Sequence, residues 1–280
     1  MILIDYSAIA ISNVITQKLD IDENLIRHMI LNSLRMHRSK HRAKFGELVL
    51  CIDGSKNWRK EVYPQYKHKR KSARKESKMD WNEIFRIMNM IREEIKENFP
   101  YKVVEVDEVE ADDIIGVICE DTQEFGRGED VMIISGDKDF AQLQKYSNIY
   151  QYSPITRKYI KEKTPRKQLL ELILKGDTAD GIPNVLSGDD VFVDGVRQTP
   201  LRQSKIDELL KDPKALGEEV YRNYLRNKKL IDLTETPENL KEKIIYNYES
   251  QDRQDNKGKV FPYLVDKRCR RLLEDVKDFI

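Results

Sequence analysis

The sequence predicts an α/β fold: a mostly parallel central sheet flanked by helices, followed by a mainly helical C-terminal part. Three observations lead there. Short continuous apolar runs lie just ahead of acids, helical periodicities lie between those runs, and helix signals dominate the second half. Continuous apolar runs of this length suit strands covered on both faces, as in parallel sheets.

Ile2-Leu3-Ile4, closed by Asp5, reads as the first strand. Leu25, Ile26, Met29, Ile30 and Leu34 recur at helical spacing. Leu48-Val49-Leu50-Cys51-Ile52, closed by Asp53, is the second strand. Asp80-Trp81-Asn82-Glu83 resembles a capping box, and Ile84, Ile87, Met88, Ile91 and Ile95 continue the stripe behind it. Lys102 to Val106 alternates around Val104 as a third strand. Ala111 to Phe125 carries Ile114, Ile115, Ile118 and Cys119 as a helix, with acids at its start where the dipole favours them. Val131 to Ile134 is the fourth strand, before Ser135-Gly136-Asp137, and Ile149 to Tyr152 is a fifth candidate. Strand alternating with helix predicts a doubly wound core with right-handed crossovers. Thr164-Pro165 and Gly176 bracket a helix over 165–175, and Thr236-Pro237 opens another. Residues 187–202 and 249–259 read as loops.

The chain has 280 residues, 39% hydrophobic and 35% charged, which is a globular composition with an ionic surface. No apolar stretch is long enough for a membrane span, and the opening residues lack the basic leader of a secretory signal. Cys51, Cys119 and Cys269 lie far apart, which argues against a disulfide scaffold or zinc knuckle and fits a reducing cytoplasm. The net charge of +1 hides a strong segregation. Lys56 to Lys78 holds ten Lys or Arg against two Glu, and Glu105 to Asp139 holds thirteen acids against Arg127 and Lys138. Such blocks imply a separate task for each.

In open parallel sheets, ligands bind beyond the carboxyl ends of the strands. The sequence sets acids there: Asp5, Asp53, Asp137 and Asp139 follow strands, Glu110 and Asp112 open a helix, and Asp177 and Asp180 flank glycines. Each alone reads as a turn former or helix cap. Together they are expected to converge, and two carboxylates 4 Å apart repel by roughly 4 kcal/mol at an effective dielectric of about 20. Oxygen-only donors without His or Cys select Mg²⁺, with Mn²⁺ as a substitute, over zinc. Two such ions serve phosphoryl displacement. The basic block interleaves Trp58, Tyr63 and Tyr66 with cations, a composition that grips nucleic-acid backbone and stacks bases. No Walker-type phosphate loop occurs.

Five stretches carry a resemblance when taken in order: Leu3-Ile4-Asp5-Tyr6-Ser7, Leu50-Cys51-Ile52-Asp53, Glu110-Ala111-Asp112-Asp113, Ser135-Gly136-Asp137-Lys138-Asp139-Phe140, and Gly176-Asp177-Thr178-Ala179-Asp180-Gly181-Ile182-Pro183. With the basic block between the second and third, the chain resembles the metal-dependent 5′-nucleases, the flap endonuclease and 5′-3′ exonuclease superfamily, and most of all its phage-encoded members. The resemblance covers nearly the whole chain. It implies a PIN-like core over 1–185 that includes a helical arch at 56–80, and a mainly helical region over 186–280. It implies a first metal site of Asp5, Asp53, Glu110 and Asp112, and a second surrounded by Asp137, Asp139, Asp177 and Asp180. Lys67 and Arg70 match the family's Tyr-Lys-x-x-Arg cations at the scissile phosphate and, with Asp53 and Asp139, form the expected catalytic set. Tyr6 takes the place of an aromatic that stacks on the terminal nucleotide. Arg59, Tyr66, Lys69, Lys71 and Arg74 join the nucleic-acid surface of the arch.

The pattern departs from the family after Pro183, where Asn184 to Asp190 brings acids in place of glycines and a lysine. An altered duplex-binding hairpin is expected, with its potassium ion left open and with Arg197, Arg202 and Lys205 as nearby backbone contacts. The expected activity is Mg²⁺-dependent cleavage near 5′ ends of RNA primers or DNA flaps on branched duplex DNA, by a monomer in the cytoplasm, that of a bacterial host if the gene is phage-borne. A PIN-type ribonuclease acting on single-stranded RNA and a non-catalytic nucleic-acid-binding replication subunit are the alternatives. The amphipathic tail from Val260 to Ile280 reads as a helix closing the core, or else as a docking segment for a single-strand-binding protein or sliding clamp.

Overall fold

A computed structural model of the chain, describing residues 1–17, 22–212, 214 and 217–280, shows one six-stranded sheet. Its strands are β1 (Ile2–Asp5), β2 (Leu48–Ile52), β3 (Lys102–Glu105), β4 (Val131–Ile134), β5 (Ile149–Ser153) and β6 (Lys158–Ile160). The spatial order is β3-β2-β1-β4-β5-β6, and every neighbouring pair is parallel except β5 with β6. All residues of β2 and β4 are buried, which is why those runs are apolar without alternation. The order reverses at β1 and β4, so the crevice above their carboxyl ends is the natural ligand position of such a sheet.

Helices cover both faces. On one lie α1 (Tyr6–Gln17), α2 (Glu23–Phe45) and α5 (Trp81–Asn98), packed on Ile2, Ile4, Leu48, Leu50 and Met132. On the other lie α6 (Ala111–Asp121) and α10 (Glu238–Glu249), packed on Leu3, Val49, Cys51 and Ile133. Asp22 caps α2 by accepting the Asn24 and Leu25 amides, and Asp80 caps α5 by accepting the Glu83 amide. Between β2 and α5 lie α3 (Arg59–Val62) and α4 (His68–Glu76), the segment expected to form an arch. Next come α7 (Pro165–Lys175), with the bounds its proline and glycine signals set, then α8 (Gln203–Leu209), α9 (Glu218–Ile231), α11 (Val260–Asp266) and α12 (Arg270–Leu273).

Two features differ from expectation. The helix starting at Ala111 ends at Asp121, because Phe125 and Gly126 take positive φ in a short turn that leaves Phe125 exposed. Strand β6 was not expected, since three exposed or half-buried residues give no periodicity to read. The tail from Val260 onward packs onto the first half of the chain. Val260, Tyr263, Leu264, Leu272 and Phe279 are buried in the same layer as α2 and α5, and Arg35 pairs with Asp275 and Asp278. The apolar stripe of the tail is therefore spent on the core. Among the described residues no helix is long and apolar enough to cross a membrane.

Candidate active site

Local backbone chemistry delivers the acids to one edge. Asp5 ends β1 and accepts the Ala8 amide at 2.9 Å, capping α1. After Asp53 the chain presses against the segment between β3 and α6: a Cβ on Gly54 would lie 2.4 Å from the Val106 carbonyl oxygen. That approach lets Asp53 Oδ1 accept the Ala111 amide at 2.9 Å, at the positive end of α6. Glu110 begins α6 in a capping box with Asp113, and Asp112 lies in its first turn. Asp137 accepts the Asp139 amide at 2.9 Å and starts a 3-10 turn. Gly176 has φ 66° and no room for a Cβ, which would sit 2.3 Å from the Ile182 oxygen. The tight loop it permits is closed by two bonds between Asp177 and Ile182, and it presents Asp177 and Asp180.

The eight acids divide by charge environment. Glu110 takes Lys67 Nζ at 2.5 Å and the Tyr66 hydroxyl at 2.8 Å. Burial pushes its carboxyl up, but Lys67 and Arg59 outweigh that and hold it at about 2. Asp180 pairs with Arg70 at 2.6 Å, and Asp177 with Lys138 at 2.7 Å. Against its burial, Lys138 holds Asp177 below the usual carboxylate range.

Asp5, Asp53, Asp112, Asp137 and Asp139 have no cation in ion-pair range among the described residues. Burial, and then Asp53, raises Asp5 to about 7. Burial, and then Asp137, raises Asp139 to about 7. Burial and Asp5 push Asp112 well up. Asp139 Oδ1 is buried without a hydrogen-bond partner among the described residues, a costly state for a carboxylate oxygen. No three His, Cys, Asp or Glu side chains among the described residues are grouped to hold one ion by themselves. A donor set of oxygens alone, with an orphaned buried oxygen and like charges held together, fits hard divalent cations.

The basic block does not present all of its groups to solvent. Lys67 adopts φ 56°, gives its amide to the Asp180 carbonyl at 2.7 Å, and places its ammonium between Glu110 and Asp180. Arg70 is half-exposed beside it. Arg59, expected on the nucleic-acid surface, is 2% exposed and bonds Asp113 through both terminal nitrogens, so it is a core residue. Tyr66 is likewise buried, its hydroxyl committed to Glu110. Tyr6 is 2% exposed and donates to the Met88 carbonyl at 2.7 Å, which leaves no free ring face for a base. Lys69 lies over the Phe192 ring, and Arg74 over Trp81 and Phe85. Lys71 belongs to α4, but its side chain lies outside the described residues.

Arg197 and Arg202 are exposed without ion pairs among the described residues, Lys205 pairs with Glu208, and none of the three contacts the acids. In the segment expected to form an altered hairpin, Asp189 is neutralised by Arg222 and Arg226, and Asp190 accepts from Gln65 at 2.7 Å.

Two features escaped sequence reasoning. Asp113 follows Asp112 by one helical step, about 100° round the axis, so it points away from the acid edge. That spacing alone marked it for a separate partner. The second is the run Arg157, Lys158, Lys161, Lys163 and Arg166 on β6 and beyond, with Glu162 the one acid among them. These five cations are exposed and unpaired among the described residues. Charge counting would have found them.

The family model for the 5′-3′ exonuclease N-terminal resolvase-like domain matches residues 3–169, and that for the T4 RNase H C-terminal part matches residues 164–279. The chain therefore belongs to the 5′-3′ exonuclease family of nucleases. Ribonuclease H of Enterobacteria phage T4 is 33% identical over 293 residues, spanning 99% of this chain and 95% of its own. The exonuclease of Escherichia phage T7 is 29% identical over 201 residues, 71% of this chain and 63% of that one. Among solved structures, the zinc-bound T5 5′-exonuclease shares the fold with a TM-score of 0.62 at 16% identity, over 100% of this chain and 98% of its own.

Proposed function

We propose that the chain is a Mg²⁺-dependent 5′-nuclease, with Mn²⁺ as a substitute ion, that cuts phosphodiesters near the 5′ ends of RNA primers or DNA flaps on duplex DNA during replication. The observation that carries this reading is the cation-free acid group at the carboxyl ends of β1, β2 and β4, facing the Lys67–Arg70 pair across Glu110 and Asp180. Asp5, Asp53, Asp112, Asp137 and Asp139 would hold the ions, with Glu110, Asp177 and Asp180 completing the surround once their cations shift to substrate. Bound there, two hard ions supply charge stabilisation for an in-line displacement at phosphorus.

Lys67 and Arg70 offset the charge that grows on the phosphoryl oxygens, and both are already held at the acid edge by carboxylates. The products expected are a 5′-phosphate and a 3′-hydroxyl. End-labelled flap, nicked, RNA-primed and unstructured RNA substrates, each with Mg²⁺ and with a chelator, test the reading. Mg²⁺-dependent cutting at the 5′ ends of the branched substrates supports it. Cutting of unstructured RNA alone would favour a single-strand ribonuclease, and binding without cutting a non-catalytic subunit.

A further inference from the structure

The five cations without a role so far, Arg157, Lys158, Lys161, Lys163 and Arg166, run along and past β6, the last strand of the sheet. β6 pairs with β5 alone, and no strand covers its outer side among the described residues. Beside it opens a cleft of about 610 Å³, walled by Phe45, Tyr146, Tyr150, Tyr159 and Ile160, with Lys161 at its side. Tyr159 is 58% exposed, so much of its ring still faces solvent. Lys44, also in the wall, is committed to the Tyr150 ring at 3.8 Å and to Asp130. Glu162 does not neutralise Lys161, because its carboxylate accepts the Thr164 amide at 2.8 Å and the Thr164 hydroxyl. Met132 and Ile149 set the cleft toward the amino ends of β4 and β5, away from the acid edge.

These properties narrow the occupant. A phosphodiester backbone would meet the cations but leave the apolar walls unused. A purely apolar segment would fill the walls and gain nothing from the cations. An extended peptide with acids around one large apolar side chain uses the edge, the cleft and the charge together. Strand addition of this kind draws affinity from main-chain hydrogen bonds and specificity from pockets for alternate side chains. Cations on an edge strand deter pairing with like-charged edges, and an acidic strand is the kind they favour.

We propose that β6 is a docking edge for an acidic segment of another protein, added as a strand along Arg157 to Lys161 with its apolar side chain in the cleft. That stretch is roughly 13 Å at about 3.3 Å per residue, a match for about five partner residues. The proposal goes beyond the nuclease reading and does not depend on it.

The test is an anisotropy titration of the full chain, in chelator, with a short dye-labelled peptide of Asp and Glu around one central Phe. It should bind with a Kd on the order of tens of micromolar, weakening with salt. Lys161→Glu, or Ser in place of the central Phe, should weaken it roughly tenfold, and Lys257→Glu, a reversal elsewhere on the surface, should not. Hydrogen exchange across 158–160 should slow when the peptide is bound. Equal losses from Lys161→Glu and Lys257→Glu, or unchanged exchange in β6, would reduce the attraction to diffuse charge and overturn the docking edge. Displacement of the peptide by duplex DNA, with DNA affinity also lowered by Lys161→Glu, would assign the face to nucleic acid instead. A concentration-dependent dimer in sedimentation that Lys161→Glu abolishes would assign it to a second copy of the chain. None of these results bears on cleavage.

Discussion

Arg59 and Asp113 meet in a buried bidentate pair, Nη1 to Oδ2 and Nη2 to Oδ1, each at 2.8 Å. Asp113 also accepts from Trp58 Nε1, the Thr236 hydroxyl and the Glu110 amide, while Arg59 Nε donates to the Leu230 carbonyl. The start of α3, the first turn of α6 and the end of α9 are thereby fastened at one point, next to the acids.

Removing the guanidinium leaves the Asp113 charge without its ionic partner in the interior. Arg59→Ala should cost about 3–5 kcal/mol of stability, measured by denaturant unfolding. Arg59→Lys should recover only part, because an ammonium cannot make the paired fork. A loss under about 1 kcal/mol would show that the pair is dispensable.

Asp53→Asn and Asp139→Asn should lower kcat by on the order of 100-fold or more, with substrate binding in a gel-shift assay little changed. In chelator, Asp139→Asn should also unfold later than the wild type, since it removes a buried charge whose Oδ1 has no partner. Wild-type turnover in both variants would remove these acids from the reaction.

Lys67→Ala should slow cleavage by roughly 100-fold at saturating substrate. It should also let the Glu110 carboxyl rise from about 2, since Lys67 is the largest of the influences holding it down. A single-turnover rate close to wild type would place Lys67 outside the chemistry.

Asp5 and Asp139, raised to about 7, bind more protons in the folded state than unfolded. Their contribution to stability is therefore complete below about pH 4 and is lost as pH rises through 7. Divalent ions should reverse that loss. The gain in Tm from Mg²⁺ over chelator should be small at pH 5 and large at pH 8. An equal gain at both values would show that the ions bind elsewhere.

His37 and His41, stacked with centroids 6.5 Å apart, each keep one buried ring nitrogen without a partner among the described residues. Burial, with help from Lys40 and, for His37, from His41, holds both down to about 4. The folded state then binds fewer protons than the unfolded chain, so stability is lost as pH falls from about 6.5 to 4, on the order of 2 kcal/mol per ring. Because this loss is common to the chelated and Mg²⁺-loaded protein, it cancels in the preceding comparison. Denaturant titrations of the His37→Leu/His41→Leu double variant should show a flatter acid limb.

Much of the fold could be read because the strands that matter are covered on both faces. Leu48 to Ile52 and Val131 to Ile134 have no other use for unbroken apolar runs, and the acids behind them could only turn out at the sheet edge. Helix 165–175 was bounded by local chemistry alone, a proline at its start and Gly176 at its end. What stayed hidden was pairing across long sequence separations. Arg59 and Tyr66 sit in a run of cations that looks solvent-facing, and nothing within that run says that Asp113 and Glu110 lie above it. The division of the acids was hidden for the same reason, since Lys67 reaches Glu110 across 43 positions.

The Arg59–Asp113 fastening has a consequence for handling the protein as parts. Two of its contributors, Leu230 and Thr236, come from the far side of any cut made near residue 185, while Trp58, Arg59 and Asp113 come from the near side. An amino-terminal fragment expressed alone would carry a guanidinium and a carboxylate with a missing lid. The complementary fragment would expose the surface that once covered them. Recombining the two pieces, rather than isolating either, is the way to recover an ordered acid edge from a split gene.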